Sequence, residues 1–515
     1  MGVENCPLSI VQRIMKLRQR KIARLALALI LPFSFMAAML LLLPLRTRLE
    51  FGPDEGYELM KAFLVSLGHP LYLEIWNDQP PLHTEFLALL FRCFGPFACV
   101  GRLLSVILAG VMLASLHVIA TWRSGIVAGI SATVLLALNP VFLQLSGSAM
   151  LELPAFTLAV TSFLWLSKYI RSGRAICLIV SAASLGCALQ IKLTAGLFAL
   201  ALPIEYGLSH YALYGQPRAS SGAPHGRWIR DLIMGGSVFI SVFFAIAICC
   251  HGQAYFSTMW ASHFSAGTRS AAAGEGYGFH PSSLLEFVSF GPFVLGVLLI
   301  LSARRWEVLP EALLFAIIFV VHILHRPFWS YYRLHFAIPM AWLGGIGIAD
   351  WLKMLHVHTI GKGLLPRSFI LGGIAAWATA IAMAVSHLPS IIGEFESLSV
   401  NSATEIDAAC ISALEKNSRV TRWIFTDRLI DAFWVRLPVP PQLAVIPSKR
   451  IWSGQITSSY VIRWLEEYKP EQILLRSDVV TTLGISDYLK VNYRIVRIGA
   501  AEQLYIRKEA KHISE

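Results

Sequence analysis

The sequence is short of charge: only 14% of its 515 residues are Asp, Glu, Lys or Arg. Soluble globular domains carry about 25%. With 56% hydrophobic residues and a mean hydropathy of +0.61, the chain cannot be a globule in water. It also lacks a G-x-G-x-x-G fingerprint and a P-loop, so no nucleotide site is expected. Its 8 cysteines show neither a zinc-ligand spacing nor a disulfide framework. Cys177, Cys187, Cys249 and Cys250 read as small apolar filler, and only Cys93 and Cys99 are placed to pair on an oxidising side. No separate basic domain accompanies the net charge of +12, so nucleic acid is not an expected partner.

What is abundant is apolar runs near the ~20 residues that cross a bilayer. About eleven are expected, near 23–45, 97–120, 124–144, 152–168, 174–191, 194–213, 232–250, 284–302, 311–325, 333–351 and 368–388. The fold class is therefore a polytopic α-helical membrane protein. Arg13, Lys16, Arg18, Arg20, Lys21 and Arg24 precede the first run and hold the N-terminus in the cytoplasm by the positive-inside bias. Arg123, Lys168, Arg171, Arg174, Arg218, Arg227, Arg230, Arg304, Arg305, Lys353, Lys362 and Arg367 fall on the same side. The first run is longer than a signal-peptide core and reads as an uncleaved helix, and Cys6 stands where a myristoylation site wants Ser or Thr.

Residues 1–390 form the membrane part on this reading, with a first outer loop at about 46–96 and a second at about 251–283. Met60, Phe63, Leu64 and Leu67 recur at helical spacing, as do Leu82, Phe86, Leu89, Leu90 and Phe94. Both segments are expected as juxtamembrane helices lying apolar face down. The second loop, with Trp260, His263, Arg269, Glu275, Tyr277 and His280, reads either as a binding lid or as a plain connector. Residues 391–515 alternate helical and strand patterns, so a C-terminal α/β domain is expected outside the cytoplasm.

Acid is scarce, yet "FGPDEGYEL" places Asp54, Glu55 and Glu58 directly after the first apolar run. An acid after Pro53 suits a helix start, but a cap needs only one. Asp54 and Glu58, one turn apart, share a face. Lys192, in "LQIKLTAG", and Arg102 lie at span ends where burial makes charge expensive, so both are candidate phosphate ligands, with snorkelling as the bland alternative. Arg326 and Arg333, in "HRPFWSYYRLH", are further candidates within what otherwise reads as an aromatic belt. Glu152 stands at the mouth of the fourth span, and His83 follows Pro-Pro-Leu.

"GPDEGYELMKAFLVSLGHPLY" followed by "EIWNDQPPLHTEFLALLFRCFGPFACVGRLLSVI" resembles the first outer loop of the GT-C membrane glycosyltransferases, in the lipid A aminoarabinose transferase and protein O-mannosyltransferase branch. The shared order is Asp-Glu, Tyr, Gly, acid, Pro-Pro-Leu, Phe-Gly and Arg-Leu. The resemblance implies an enzyme that moves a sugar from a polyprenyl-phosphate carrier to an extracytoplasmic cell-envelope acceptor. It implies Asp54 as catalytic aspartate, with Glu55 completing the motif and Asp78 as the acid before the prolines. Tyr57 and Glu58 belong to the same motif, and Lys192 matches a family lysine. Gln79 replaces a lysine frequent in the aminoarabinose branch. Spacing indicates no metal, although some GT-C members use a divalent cation such as Mg²⁺ or Mn²⁺, for which Asp54, Glu55 and Asp78 are the candidate ligands. One base suffices for such a transfer, because lipid phosphate is already a stable leaving group. The undecaprenyl carrier of a bacterial inner membrane is the expected donor lipid. The alternative reading is a transporter or flippase of a lipid-linked sugar, which would gather polar residues near the bilayer midplane.

Overall fold

The computed structural model describes residues 26, 28–214, 225–261, 278–302, 306–359, 367–400, 403–447, 450–451 and 453–508. The N-terminal basic cluster, Arg218, Arg304, Arg305, Lys362, His263, Arg269, Glu275 and Tyr277 lie outside the described residues.

A helix stands in every stretch expected to span. In chain order these are α1 (28–42), two loop helices α2 (Glu55–Ser66) and α3 (Leu82–Phe94), then α4 (Ala98–Ser124), α5 (Ile126–Ala137), α6 (Pro140–Gly147), α7 (Glu152–Ser172), α8 (Ala175–Leu189), α9 (Gly196–Tyr214) and α10 (His225–Cys249). There follow α11 (Gly252–Trp260), α12 (Phe290–Ser302), α13 (Leu309–Leu324), α14 (Arg333–Thr359), α15 (Arg367–Ser386) and α16 (Leu388–Ser399). Among the described residues, four helices are long and apolar enough to cross a membrane alone, and shorter apolar helices occupy most of the other expected spans. Only 6% of the most apolar stretch of α10 is buried among the described residues, an exposed apolar surface suited to lipid. The chain is an integral membrane protein.

The expected single span at 124–144 is instead two helices, α5 and α6, bent by 71°. Asn139 and Pro140 cause the break: proline cannot continue the ladder, and the Asn139 side chain accepts from the Val141 N–H to start a new helix. The span expected from 284 begins only at Phe290, after a 3-10 turn at Pro281–Glu286. Arg123, counted above among the cytoplasmic-side charges, is half-buried and pairs with Glu205 and Glu311. Small residues allow close helix approach: a Cβ on Gly347 of α14 would lie 2.5 Å from the Gly296 Cα of α12. Phe142, Phe156, Phe163, Phe336 and Trp342 fill the core of this bundle, which α16 joins through Ile391 and Leu398.

Beyond residue 404 come α17 (Glu405–Lys416), β1 (Ile424–Thr426), α18 (Leu429–Trp434), α19 (Ser458–Tyr468), β2 (Gln472–Arg476), α20 (Ser477–Leu483), α21 (Ser486–Asn492), β3 (Tyr493–Arg497) and β4 (Glu502–Arg507). Thr404 and Asp407 close a capping box on α17. The sheet runs β1-β2-β4-β3, with β1 parallel to β2 and the other pairs antiparallel.

α2 does not lie with a free polar face at the membrane surface, as its amphipathic spacing suggested. Glu55 to Val65 are buried apart from Tyr57, because α18 covers the side of α2 that α3 leaves open. The Phe433 ring meets Phe63 edge-on at 6.1 Å and Phe91 at 5.7 Å. A Cβ on Gly56 would lie 3.0 Å from the Ile430 nitrogen, so glycine is what permits this approach. The second outer loop begins as α11, whose Tyr255 ring packs 5.2 Å from Tyr72 in the first loop.

Candidate active site

Two ion pairs anchor the region around α2. Arg102, near the start of α4, is fully buried, and its Nε and Nη2 donate to the two oxygens of Glu55 at 2.9 and 3.0 Å. Its remaining N–H groups donate to the carbonyls of Leu45 (2.9 Å), Arg48 (2.7 Å) and Leu49 (3.0 Å). Glu55 also accepts from the backbone N–H groups of Phe51 (2.7 Å) and Ala149 (3.0 Å). All five guanidinium donors are committed. Arg102, expected as a phosphate ligand, and Glu55, expected to help orient an acceptor, here spend these groups on each other and on the backbone, and together they bolt the 45–55 turn to α4. The same saturation removes Glu55 as a metal ligand, and among the described residues no cluster of three or more His, Cys, Asp or Glu side chains suits a metal. The carboxylates expected for Mg²⁺ or Mn²⁺ therefore do not fit one.

The second pair joins Lys192, between α8 and α9, to Glu152 in the first turn of α7. Both are buried, and Glu152 Oε2 has no partner. The Lys192 ammonium lies 4.6 Å from the Tyr331 ring centroid and 5.4 Å from that of Tyr332. Asp54 precedes α2 but its side chain makes no cap hydrogen bond, so the bland explanation for it does not apply. The Tyr331 phenol lies within electrostatic reach of the Asp54 carboxylate. Burial, and then the Asp54 and Glu152 carboxylates, hold the Tyr331 phenol above its ordinary range, which keeps it a neutral donor.

Glu58 extends the cluster. It is buried, its Oε1 takes the Lys61 ammonium at 2.8 Å, and its Oε2 has no partner. Burial raises its carboxyl above the usual carboxylate range, against the pull of Lys61, and Asp54 and Glu152 add to the rise. Lys61 donates as well to Asn77 Oδ1 at 2.9 Å, and Asn77 holds the Gln79 carbonyl at 2.8 Å. The loop bearing half-buried Asp78 is thus fastened to α2, and the Leu82 N–H donates to the Gln190 carbonyl beside Lys192. Sequence reasoning missed Lys61. Its signal was a lysine three residues after Glu58 on an otherwise apolar face.

The structure therefore brings together Asp54, Glu58, Glu152 and Lys192 with Lys61, Tyr331 and Tyr332. Other candidates stand apart. His83 is buried with Nε2 3.2 Å from the Ala149 carbonyl, and burial pushes its pKa down to about 4, so it is a neutral structural donor and not a ligand. Arg333 pairs with Glu286 at the surface (2.6 Å), and Arg326 is exposed beside Gly278. Tyr57 lines a separate cavity of about 500 Å³ between the first loop and the C-terminal sheet region, together with Glu50, Gln144, Asp427, Arg428 and Arg476. There burial raises Glu50 to about 8 and Tyr57 to about 12. Cys93 and Cys99 are free thiols.

The family model for dolichyl-phosphate-mannose-protein mannosyltransferases matches residues 78–220, the stretch that carries Glu152 and Lys192. No curated protein matches the sequence. The crystal structure of ArnT from Cupriavidus metallidurans bound to undecaprenyl phosphate superposes with a TM-score of 0.62 at 15% identity, covering 95% of this chain and 98% of that one. The oligosaccharyltransferase AglB from Archaeoglobus fulgidus, in complex with an inhibitory peptide and a dolichol-phosphate, gives 0.57 at 12% identity over 96% of this chain and 75% of that one. At such identities the likeness is one of fold. The chain is therefore similar in overall fold to these membrane proteins and, over residues 78–220, to the dolichyl-phosphate-mannose-protein mannosyltransferase family.

Proposed function

We propose that the protein transfers a sugar from a polyprenyl-phosphate carrier to a hydroxyl, or similar group, of a lipid, glycan or protein on the extracytoplasmic side of a bacterial inner membrane. The observation that carries this reading is the juxtaposition of half-buried Asp54, within electrostatic reach of Tyr331, with the buried Lys192 ammonium on the Tyr331 and Tyr332 rings. Asp54 takes the acceptor's proton. The freed oxygen attacks the anomeric carbon, and the bond from that carbon to the phosphate oxygen breaks. The electron pair leaves with the polyprenyl phosphate, which Lys192 steadies as its charge grows. Direct displacement inverts the anomeric centre. Neighbours bound to undecaprenyl phosphate and dolichol-phosphate support the choice of carrier. Asp78 and the exposed Arg326 and Arg333 lie outside this minimal step. The C-terminal region, placed on the same side as α2, is suited to acceptor recognition.

The test is transfer of labelled sugar from polyprenyl-phosphate donors in membranes that offer a cell-envelope acceptor pool. Asp54→Asn is expected to lower turnover at least ~100-fold, the scale of general-base catalysis, with folding unchanged. Equal transfer by wild type and variant removes Asp54 as the base.

A further inference from the structure

Two carboxylate oxygens in the cluster are buried and have no hydrogen-bond donor, Glu58 Oε2 and Glu152 Oε2. In each acid the other oxygen holds a lysine, Lys61 or Lys192. Burying an acceptor without a donor costs about 1–3 kcal/mol, a cost the fold avoids at Glu55, which has four donors, but bears here and at Glu311 and Asp431 outside the cluster. Glu58 lies within electrostatic reach of both Asp54 and Glu152, so the open oxygens belong to one locality. That locality holds three carboxylates against two ammoniums.

We propose that Glu58 and Glu152 form the sugar subsite. The transferred sugar lies against both acids and donates hydroxyl or amino hydrogens to their open oxygens, while Lys61 and Lys192 hold the opposite oxygens in place. The class of donor follows. The sugar offers hydrogen-bond donors and carries no carboxylate or phosphate of its own, because a second anion would meet the surplus acid. This inference rests on the transferase reading above and adds which sugars it accepts.

The experiment uses the full-length protein, wild type, Glu58→Gln and Glu152→Gln, with polyprenyl-phosphate donors bearing a neutral sugar, its monodeoxy analogues, an amino sugar and a uronic acid. Binding of sugar-free polyprenyl phosphate reports whether each variant keeps its fold and phosphate site. Wild type is expected to favour the neutral or amino sugar over the uronic acid at least ~10-fold, as expected of a site built to hydrogen-bond its substrate. Each Gln variant should raise the donor KM about 10-fold, keep carrier binding within about twofold, and be indifferent to removal of one particular hydroxyl that wild type requires. Equal use of the uronic acid by wild type, or a loss in the variants of the same size for every deoxy donor, overturns the subsite. Transfer from no donor by wild type overturns the transferase reading itself, and the subsite with it.

Discussion

Of the buried acid–base pairs at or near α2, Arg102–Glu55 and Lys192–Glu152 differ in one respect. Arg102–Glu55 is closed: every donor of the guanidinium and both carboxylate oxygens are committed inside the protein. Lys192–Glu152 is open, with one oxygen unpartnered and the ammonium laid over two tyrosine rings. Burial and charge are the same in both. What separates scaffold from site is spare valence, since only the open pair has something left to offer a ligand.

That contrast breaks most decisively at Arg102. Arg102→Met leaves Glu55 buried without its ion-pair partner, which costs about 3–5 kcal/mol. Thermal unfolding in detergent should show a large loss of stability, and a variant as stable as wild type would refute the scaffold role. Lys192→Met should reverse the pattern. We expect transfer to fall at least ~100-fold, the scale of losing one electrostatic stabiliser, while the melting temperature falls less than for Arg102→Met because Lys192 makes fewer contacts to the scaffold than Arg102 does. The smallest effect concerns Glu50. Burial raises its folded pKa to about 8 from an ordinary value of 4.5, so between those limits the folded state binds more protons than the unfolded one. Stability should therefore fall as pH rises from about 4.5 to 8. Glu50→Gln should flatten that slope and melt higher than wild type at pH 8.

Much of the fold is visible in sequence wherever local rules are strong. Glycine and proline punctuate the first loop, and both its helices stand where spacing set them. The C-terminal alternation likewise names α17, α19, α21 and all four strands. α18 escaped, because six residues show no period and its helical state depends on packing against α2. At the site, Asp54, Glu58, Glu152 and Lys192 stood out as charge in a chain that has little. Arg102 and Glu55 stood out equally. Nothing local revealed that the carbonyls of Leu45, Arg48 and Leu49 would use up the arginine, since these arrive from a turn without a motif. Lys61 went unseen for the converse reason: its acid is local, but Asn77 is sixteen positions away.

α2 is roofed by α18, and the Trp434 indole reaches the Leu49 carbonyl at 3.1 Å across 385 positions of sequence. This sets an order of events during synthesis. A ribosome working at about 5–20 residues per second needs roughly 20–70 s to travel from the end of α2 to Trp434. Throughout that interval the acid-bearing helix is already made but has no roof. Competence therefore comes late in the life of the nascent chain, and a product cut short after its membrane helices keeps the Arg102–Glu55 bolt but leaves α2 without its cover.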